Sequence, residues 1–231
     1  LSIIIPTLEE EGMLSGLFAA LDRLASTTEV IVVDGRSGDR TLSIAAERVG
    51  HFRRGLVLES RPGRGTQLAA GADAATGDLF LFLHADSRPS PPMIDRLLAL
   101  SAASRTEQRN HGVALFRLGF DDPHVILRLY ALFARIESYW TSFGDQGVLV
   151  GADMYRHIGP IPAIPILEDV GFLTQARAVG TITKYPERIT TSSRRFLVGG
   201  VIRTQLENGR ILLRHRRGTD SAVIAEEYRS Q

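Results

Sequence analysis

Four polar clusters stand just past short apolar runs early in the chain: Thr7 with Glu10, Asp34, Arg61 with Arg64, and His84 with Asp86. Asp86 follows five large apolar residues, Leu79 to Leu83, so its loop opens at the end of a buried strand. A carboxylate there suits a hard divalent cation, magnesium or manganese, that bridges two phosphate oxygens. Capping the helix that begins near Pro91 is its other use, although Ser87 and Ser90 stand better for that task. Asp34 opens the run Gly35-Arg36-Ser37-Gly38-Asp39. It is placed to accept hydrogen bonds from a ribose or a base edge, or simply to form a turn, and Asp39 fits the N-cap of the next helix. Arg61-Pro62-Gly63-Arg64-Gly65-Thr66 is basic, glycine-rich and opens a helix, where backbone N–H groups favour anions. It lacks the Gly-Lys-Ser/Thr of a P-loop, and no Gly-x-Gly-x-x-Gly follows the first strand.

Further along, Glu168-Asp169 starts a helical stretch running from Val170 to Ala178. The pair reads either as acids complementing the helix dipole or as a general base for an attacking hydroxyl. Arg194-Arg195 reads as a contact for a diphosphate or as a solvated basic pair. Arg214-His215-Arg216-Arg217 complements the negative end of a last helix, with a membrane-surface contact as the minor alternative.

The elements that must position these groups alternate. Strands are expected at Ser2–Ile5, Val30–Val33, Leu56–Leu58 and Leu79–Leu83. Between them lie helices through Leu14–Leu24 and Leu42–Val49 and a small-residue helix from about Gly65 to Ala75. Continuous apolar strands separated by helices imply an α/β fold, with a mostly parallel sheet covered on both faces. Ligands of such sheets bind at the carboxyl ends of the strands, where the four clusters converge. The second half is less regular. Val113–Phe120 and Thr181–Thr190 read as strands, and Leu197–Leu213 as a final helix. Val125–Phe143 reads as one helix, apolar around much of its circumference and so a core helix, or else an acceptor groove or membrane-facing surface.

Composition narrows the classes. The 231 residues are 44% hydrophobic and 23% charged with net charge +1, which offers no field for nucleic acid or an anionic membrane over the whole chain. Without cysteine there is no disulfide, thiolate metal site or thiol nucleophile, and a reducing cytoplasm is compatible. Lys184 is the single lysine, so the positive charge is nearly all arginine, either compositional habit or a fit to phosphate oxygens. No stretch approaches the roughly 20 apolar residues that span a bilayer. Leu1–Ile5 is too short for a signal peptide, and the lack of an initiator methionine suggests that a short leader precedes it.

Taken in order, these residues resemble glycosyltransferase family 2. Ser2-Ile-Ile-Ile-Pro-Thr-Leu-Glu-Glu is similar to its opening strand and loop, and Val32-Val33-Asp34-Gly35 with Ser37, Asp39 and Thr41 to its second nucleotide motif. His84-Ala85-Asp86 takes the place of the Asp-x-Asp metal motif, Gly144-Asp145-Gln146-Gly147 resembles an acceptor-side loop, and Glu168-Asp169 the catalytic base. Ser193-Arg194-Arg195 resembles a diphosphate-contacting loop, and the whole combination a bacterial subfamily of small members. Three positions depart from the pattern: His84 for the first acid of the metal motif, Glu9 for asparagine, and Gly35 for a second aspartate.

The resemblance implies a GT-A, Rossmann-like domain over residues 1–195, with a nucleotide-binding half (1–90), an acceptor-side half (91–195) and a helical extension over 196–231. It implies an inverting, metal-dependent transfer from a nucleoside-diphosphate sugar. Pro6, Thr7, Glu10 and Asp34 would hold the nucleoside, and Arg64, Arg194 and Arg195 the phosphates. Asp86 would hold manganese or magnesium. Asp169, or alternatively Glu168, would be the base, and Asp145 and Gln146 would line the acceptor side. The acceptor is a hydroxyl on a lipid-linked or small molecule. The expected setting is cytoplasmic, with at most peripheral contact with the inner face of the membrane. The rival readings are a sugar-nucleotide-binding protein without catalysis and, more distantly, a nucleotidyltransferase.

Overall fold

The computed structural model describes residues 1–103 and 112–229. The first half follows the alternation read from the sequence. Strands β1 (Ser2–Thr7), β2 (Glu29–Asp34), β3 (Arg54–Glu59) and β4 (Leu79–Phe82) are joined by helices α1 (Glu11–Leu21), α2 (Thr41–Val49) and α3 (Arg64–Ala74). β1 pairs in parallel with both β2 and β4, and β2 with β3, in a register that sets Thr7 beside Asp34 and Asp34 beside Glu59. Strand ends and their polar residues are therefore level along one edge.

Because side chains alternate across a strand, β1 serves two cores. Ile3 and Ile5 point to the layer of α1, α2 and α4 (Pro91–Ala102), among Leu17, Phe18, Ala45, Met93 and Leu97. Ile4 points the other way, against Leu68 and Ala72 of α3 and the Phe80, Phe82, Tyr155 and Phe172 cluster. The small residues of α3 have a steric reason: a Cβ on Gly71 would fall 2.4 Å from Ile4 Cγ2.

The second half adds a short β5 (Arg88–Pro89), β6 (Val113–Phe120), α5 (Val125–Phe133), β7 (Val148–Gly151), α6 (Ala152–Ile158), α7 (Glu168–Val179) and β8 (Ile182–Thr191). The complete sheet runs β3-β2-β1-β4-β7-β6-β8-β5. β7 is antiparallel to β4 and to β6, while β6 and β8 are parallel. Three helices follow: α8 (Arg194–Gly199), α9 (Val201–Arg216) and α10 (Ser221–Arg229).

Two expectations are corrected. Val125–Phe143 is not one buried helix: α5 stops at Phe133, and irregular turns carry the chain to Phe143. Leu127 is its one fully buried residue, whereas Val125, Leu129, Leu132 and Phe133 are exposed. Apolar character all round misled the reading because only the inner stripe packs, against Leu118, Phe120, Ala134 and Val201. The final helix read as Leu197–Leu213 is broken at Gly200, whose φ of +80° suits glycine, and α10 comes after it.

Candidate active site

A cavity of about 700 Å³ opens at the carboxyl ends of β1 and β4. Its floor is made of strand ends and the loops beyond them: Pro6 and Thr7 at the end of β1 with Glu10 after it, His84 and Asp86 after β4, and Gly63, Arg64 and Gln67 at the start of α3. Its far wall is long-range in sequence, with Tyr130, Asp145, Glu168, Asp169, Arg194 and Arg195.

The floor is laced by hydrogen bonds. Thr7 Oγ1 donates to Asp34 Oδ1 at 3.1 Å, and Ser37 donates to the same carboxylate through its N–H at 2.8 Å and its Oγ at 2.6 Å. Asp34 is thus 1% exposed, spent on the loop, and outside the cavity lining. Glu9 has a use of its own, since its Oε1 accepts from Gly38 N–H at 2.6 Å. Arg40, not Asp39, takes the N-cap of α2; Asp39 stands one position earlier, with Oδ1 accepting from Thr41 N–H at 2.9 Å. Gln67, which no sequence motif marks, bridges the two strand ends by donating from Nε2 to the carbonyls of Thr7 (2.7 Å) and Val33 (2.8 Å).

A second set of charged groups lies on the far wall. Leu167 is held in the left-handed region (φ 64°), so α7 begins abruptly with Glu168 and Asp169 aimed into the cavity. Glu168 is buried and ion-paired with Arg64. Burial pushes the Glu168 carboxyl up, with Arg64 opposing. Burial also works against the charge of Arg64, yet Glu168 and Asp169 hold it firmly protonated. Arg64 therefore meets a carboxylate directly, an ion pair that the sequence did not indicate.

Asp169 Oδ2 accepts from Gly144 N–H at 2.6 Å, which ties α7 to the 144–146 turn. A Cβ on Gly144 would lie 3.1 Å from Asp169 Cβ and 3.3 Å from His84 Nε2, so these groups converge where a side chain hardly fits. Next along, Asp145 is half-buried, and its Oδ1 is buried without a hydrogen-bond partner. Burial, reinforced by Asp169 and Asp86, raises its carboxyl to about 7. His84 is pushed the other way, to about 4, by burial and then Arg64, so its imidazole is neutral at pH 7. Gln146 stands apart from the lining: fully buried, it donates to Thr141 O at 2.7 Å and accepts from Lys184.

Fit to a divalent cation can be judged from the oxygens present. Asp86 Oδ2 accepts a 3.3 Å bond from Thr191, and Glu10 Oε2 is buried without a hydrogen-bond partner. Burial raises Glu10, and the charge of Asp86 raises it further. Two carboxylates that repel one another suit a cation between them and nearby phosphates. Among the described residues no three His, Cys, Asp or Glu side chains form a metal cage. That pattern matches magnesium and manganese sites, which rely on one or two carboxylates, substrate phosphates and water. Arg194 lies 3.8 Å from Glu10 Oε2, a second positive group at the same place. Tyr130 and Phe143 belong to the segment read alternatively as an acceptor groove, whereas no sequence signal marked Asn208, Ile211, Leu212 and Ala225, which the C-terminal helices bring to the wall.

Residues 2–108 match the model of the family Glycosyl transferase family 2. Undecaprenyl-phosphate 4-deoxy-4-formamido-L-arabinose transferase of Enterobacter sp. (strain 638) is 34% identical over 166 residues, 68% of this chain and 49% of its own length. The enzyme of that name from Aeromonas hydrophila subsp. hydrophila is 35% identical over 104 residues, 42% of this chain and 32% of its own length. The chain thus spans half or less of these relatives. Among solved structures, S. aureus TarS 1-349 gives a TM-score of 0.66 at 18% identity, covering 96% of this chain and 64% of that one. Glucosyl-3-phosphoglycerate synthase from Mycobacterium tuberculosis, solved with Mn2+, UDP and glucosyl-3-phosphoglycerate, gives 0.61 at 18% identity, with 94% and 79% covered. These likenesses establish a GT-A fold.

Proposed function

We propose that this chain, with its match to Glycosyl transferase family 2, is an inverting glycosyltransferase that moves a sugar from a nucleoside-diphosphate sugar to an acceptor hydroxyl. The observation that carries the reading is the convergence, in one cavity at the strand ends, of Asp86, Asp145 and Asp169 with Arg194 and Arg195. Groups suited to phosphate and groups suited to accept a proton then line the same space.

Pro6 and Thr7 line the nucleoside side, and Arg194 and Arg195 meet the diphosphate. Asp86, with Glu10 beside it, would hold manganese or magnesium. When bound, the cation would neutralise charge on the leaving diphosphate. Asp169 takes the proton as the acceptor oxygen attacks the anomeric carbon, on the face opposite the leaving group. The bond from that carbon to the diphosphate oxygen breaks, and its electron pair leaves with the phosphate. Gly144 N–H donates to Asp169 Oδ2 and Val170 N–H to Oδ1, and together they fix the orientation of the carboxylate. Glu168, neutralised by Arg64, is the poorer base and serves to hold α3 against α7. Asp145 offers its unpartnered Oδ1 on the acceptor side.

The test is turnover of nucleoside-diphosphate sugars with manganese. Asp169→Asn and Asp86→Ala should each lower it by about a hundredfold or more, the size of a general-base or charge-neutralising contribution. Unchanged turnover in both variants would end the assignment. Tight nucleotide binding with no turnover across many acceptors would favour a binding protein instead.

A further inference from the structure

We propose that the outer face of α5 and the C-terminal helices docks on an anionic lipid surface. Along α5 and the turn after it, Val125, Leu129, Leu132, Phe133 and Ile136 recur at helical spacing, and all are exposed, Val125 at 65% and Ile136 at 62%. The opposite stripe of α5 already packs inward through Leu127. The helix thus has an apolar stripe left over, turned to solvent. α9 repeats the pattern with Ile202, Leu206 and Leu213, and α8 adds Leu197 and Val198, the latter 87% exposed. Leu127 and Val201 join the two helices in one cluster, so both stripes belong to one packed unit. Apolar patches of this extent on a folded surface mark a contact.

Charge identifies the partner. Residues 203–217 carry five arginines, none of them in the cavity lining; Arg203 pairs with Glu207 and Arg214 with Glu227, which leaves Arg210, Arg216 and Arg217 in a chain whose net charge is +1. Exposed Arg128 and Arg135 flank the α5 stripe, and exposed Arg203, Arg210 and Arg217 flank that of α9. Arg216 also lies over Trp140 (5.1 Å) and Tyr139 (5.7 Å), joining aromatic rings of interfacial type to the basic end of α9. Apolar side chains set among arginines are what an interfacial helix presents to anionic headgroups. A second copy of this face would oppose arginine to arginine, which disfavours self-pairing. No helix among the described residues is long and apolar enough to cross a membrane, so the surface lies on the bilayer.

Docking would hold the wall formed by Tyr130, Ile211 and Leu212 near the headgroups. The inference does not depend on what the cavity catalyses, and its test omits sugar nucleotide. Co-sedimentation is measured with phosphatidylcholine vesicles, with and without about 30% phosphatidylglycerol, at roughly 0.1 M and 0.5 M salt. Binding should require the anionic lipid and weaken at high salt. Leu132→Glu/Phe133→Glu and Arg210→Glu/Arg217→Glu, none of them in the cavity lining, should each weaken it about tenfold or more. Should the first variant unfold on heating well below the parent, the arginine variant carries the test. No partition onto the anionic vesicles, or equal partition by the variants, overturns the proposal. So does light scattering that finds a dimer which Leu132→Glu dissociates.

Discussion

On the β1–β2 side of the cavity, Asp34 accepts from Thr7 and twice from Ser37, and Gln67 spans two strand-end carbonyls. On the opposite side, Asp145 Oδ1 is buried without a hydrogen-bond partner, with the charge of Asp169 acting on it. Both sides are acidic, but one has spent its hydrogen bonds on architecture and the other has kept them open. Buried polar groups are normally satisfied, so the open set is where a ligand is awaited. The first side is rigid support, and on the proposed function the second would carry the chemistry.

The sharpest way to break this contrast is the pair Glu168 and Asp169, adjacent in sequence but differently partnered. Asp169→Asn should lower kcat by about 10²–10⁴, whereas Glu168→Gln should lower it less than about tenfold and cost stability instead. Equal kinetic losses would mean that the Arg64 ion pair does not separate their roles.

Asp145→Asn probes the open side through pH. The Asp145 carboxyl is raised from 3.8 to about 7, so the folded state binds its proton more tightly than the unfolded chain. Its contribution is complete below pH 4 and is lost as pH rises to 7. The variant should therefore gain up to about 4 kcal/mol over the parent at pH 8, and little at pH 4. Denaturant unfolding at both values reads this, and a gain independent of pH would show that Asp145 is not an open, charge-strained group.

Asp34→Ala probes the satisfied side, stranding donors of Thr7 and Ser37, and should cost roughly 2–3 kcal/mol in the same measurement. A loss under about 0.5 kcal/mol would break the idea that this side is architecture. Leu206→Ser, on the exposed face of α9, should shift stability by no more than about 0.5 kcal/mol, which thermal unfolding would resolve.

The legible part of the fold was the first half. Runs such as Val30–Val33 and the spacing of Leu14, Leu17, Phe18 and Leu21 are local signals, and those elements form where the pattern puts them. The second half was harder because its apolar residues are not all core. Val125, Phe133 and Ile202 count as hydrophobic in any pattern, yet they face solvent.

The sequence alone therefore determined the parallel sheet and the polar residues at its carboxyl edge, because alternation and periodicity act over a few neighbouring residues. It marked Asp86, Asp145, Glu168, Asp169, Arg194 and Arg195, and all of them meet at one cavity. Only the tertiary structure decided what each is free to do. Arg64 pairs with Glu168 across 104 positions, Gln146 turns inward to Lys184, and Gln67 rises from an unmarked helix position to bind two strands. Those choices depend on burial and on partners distant in the chain, which no local spacing encodes.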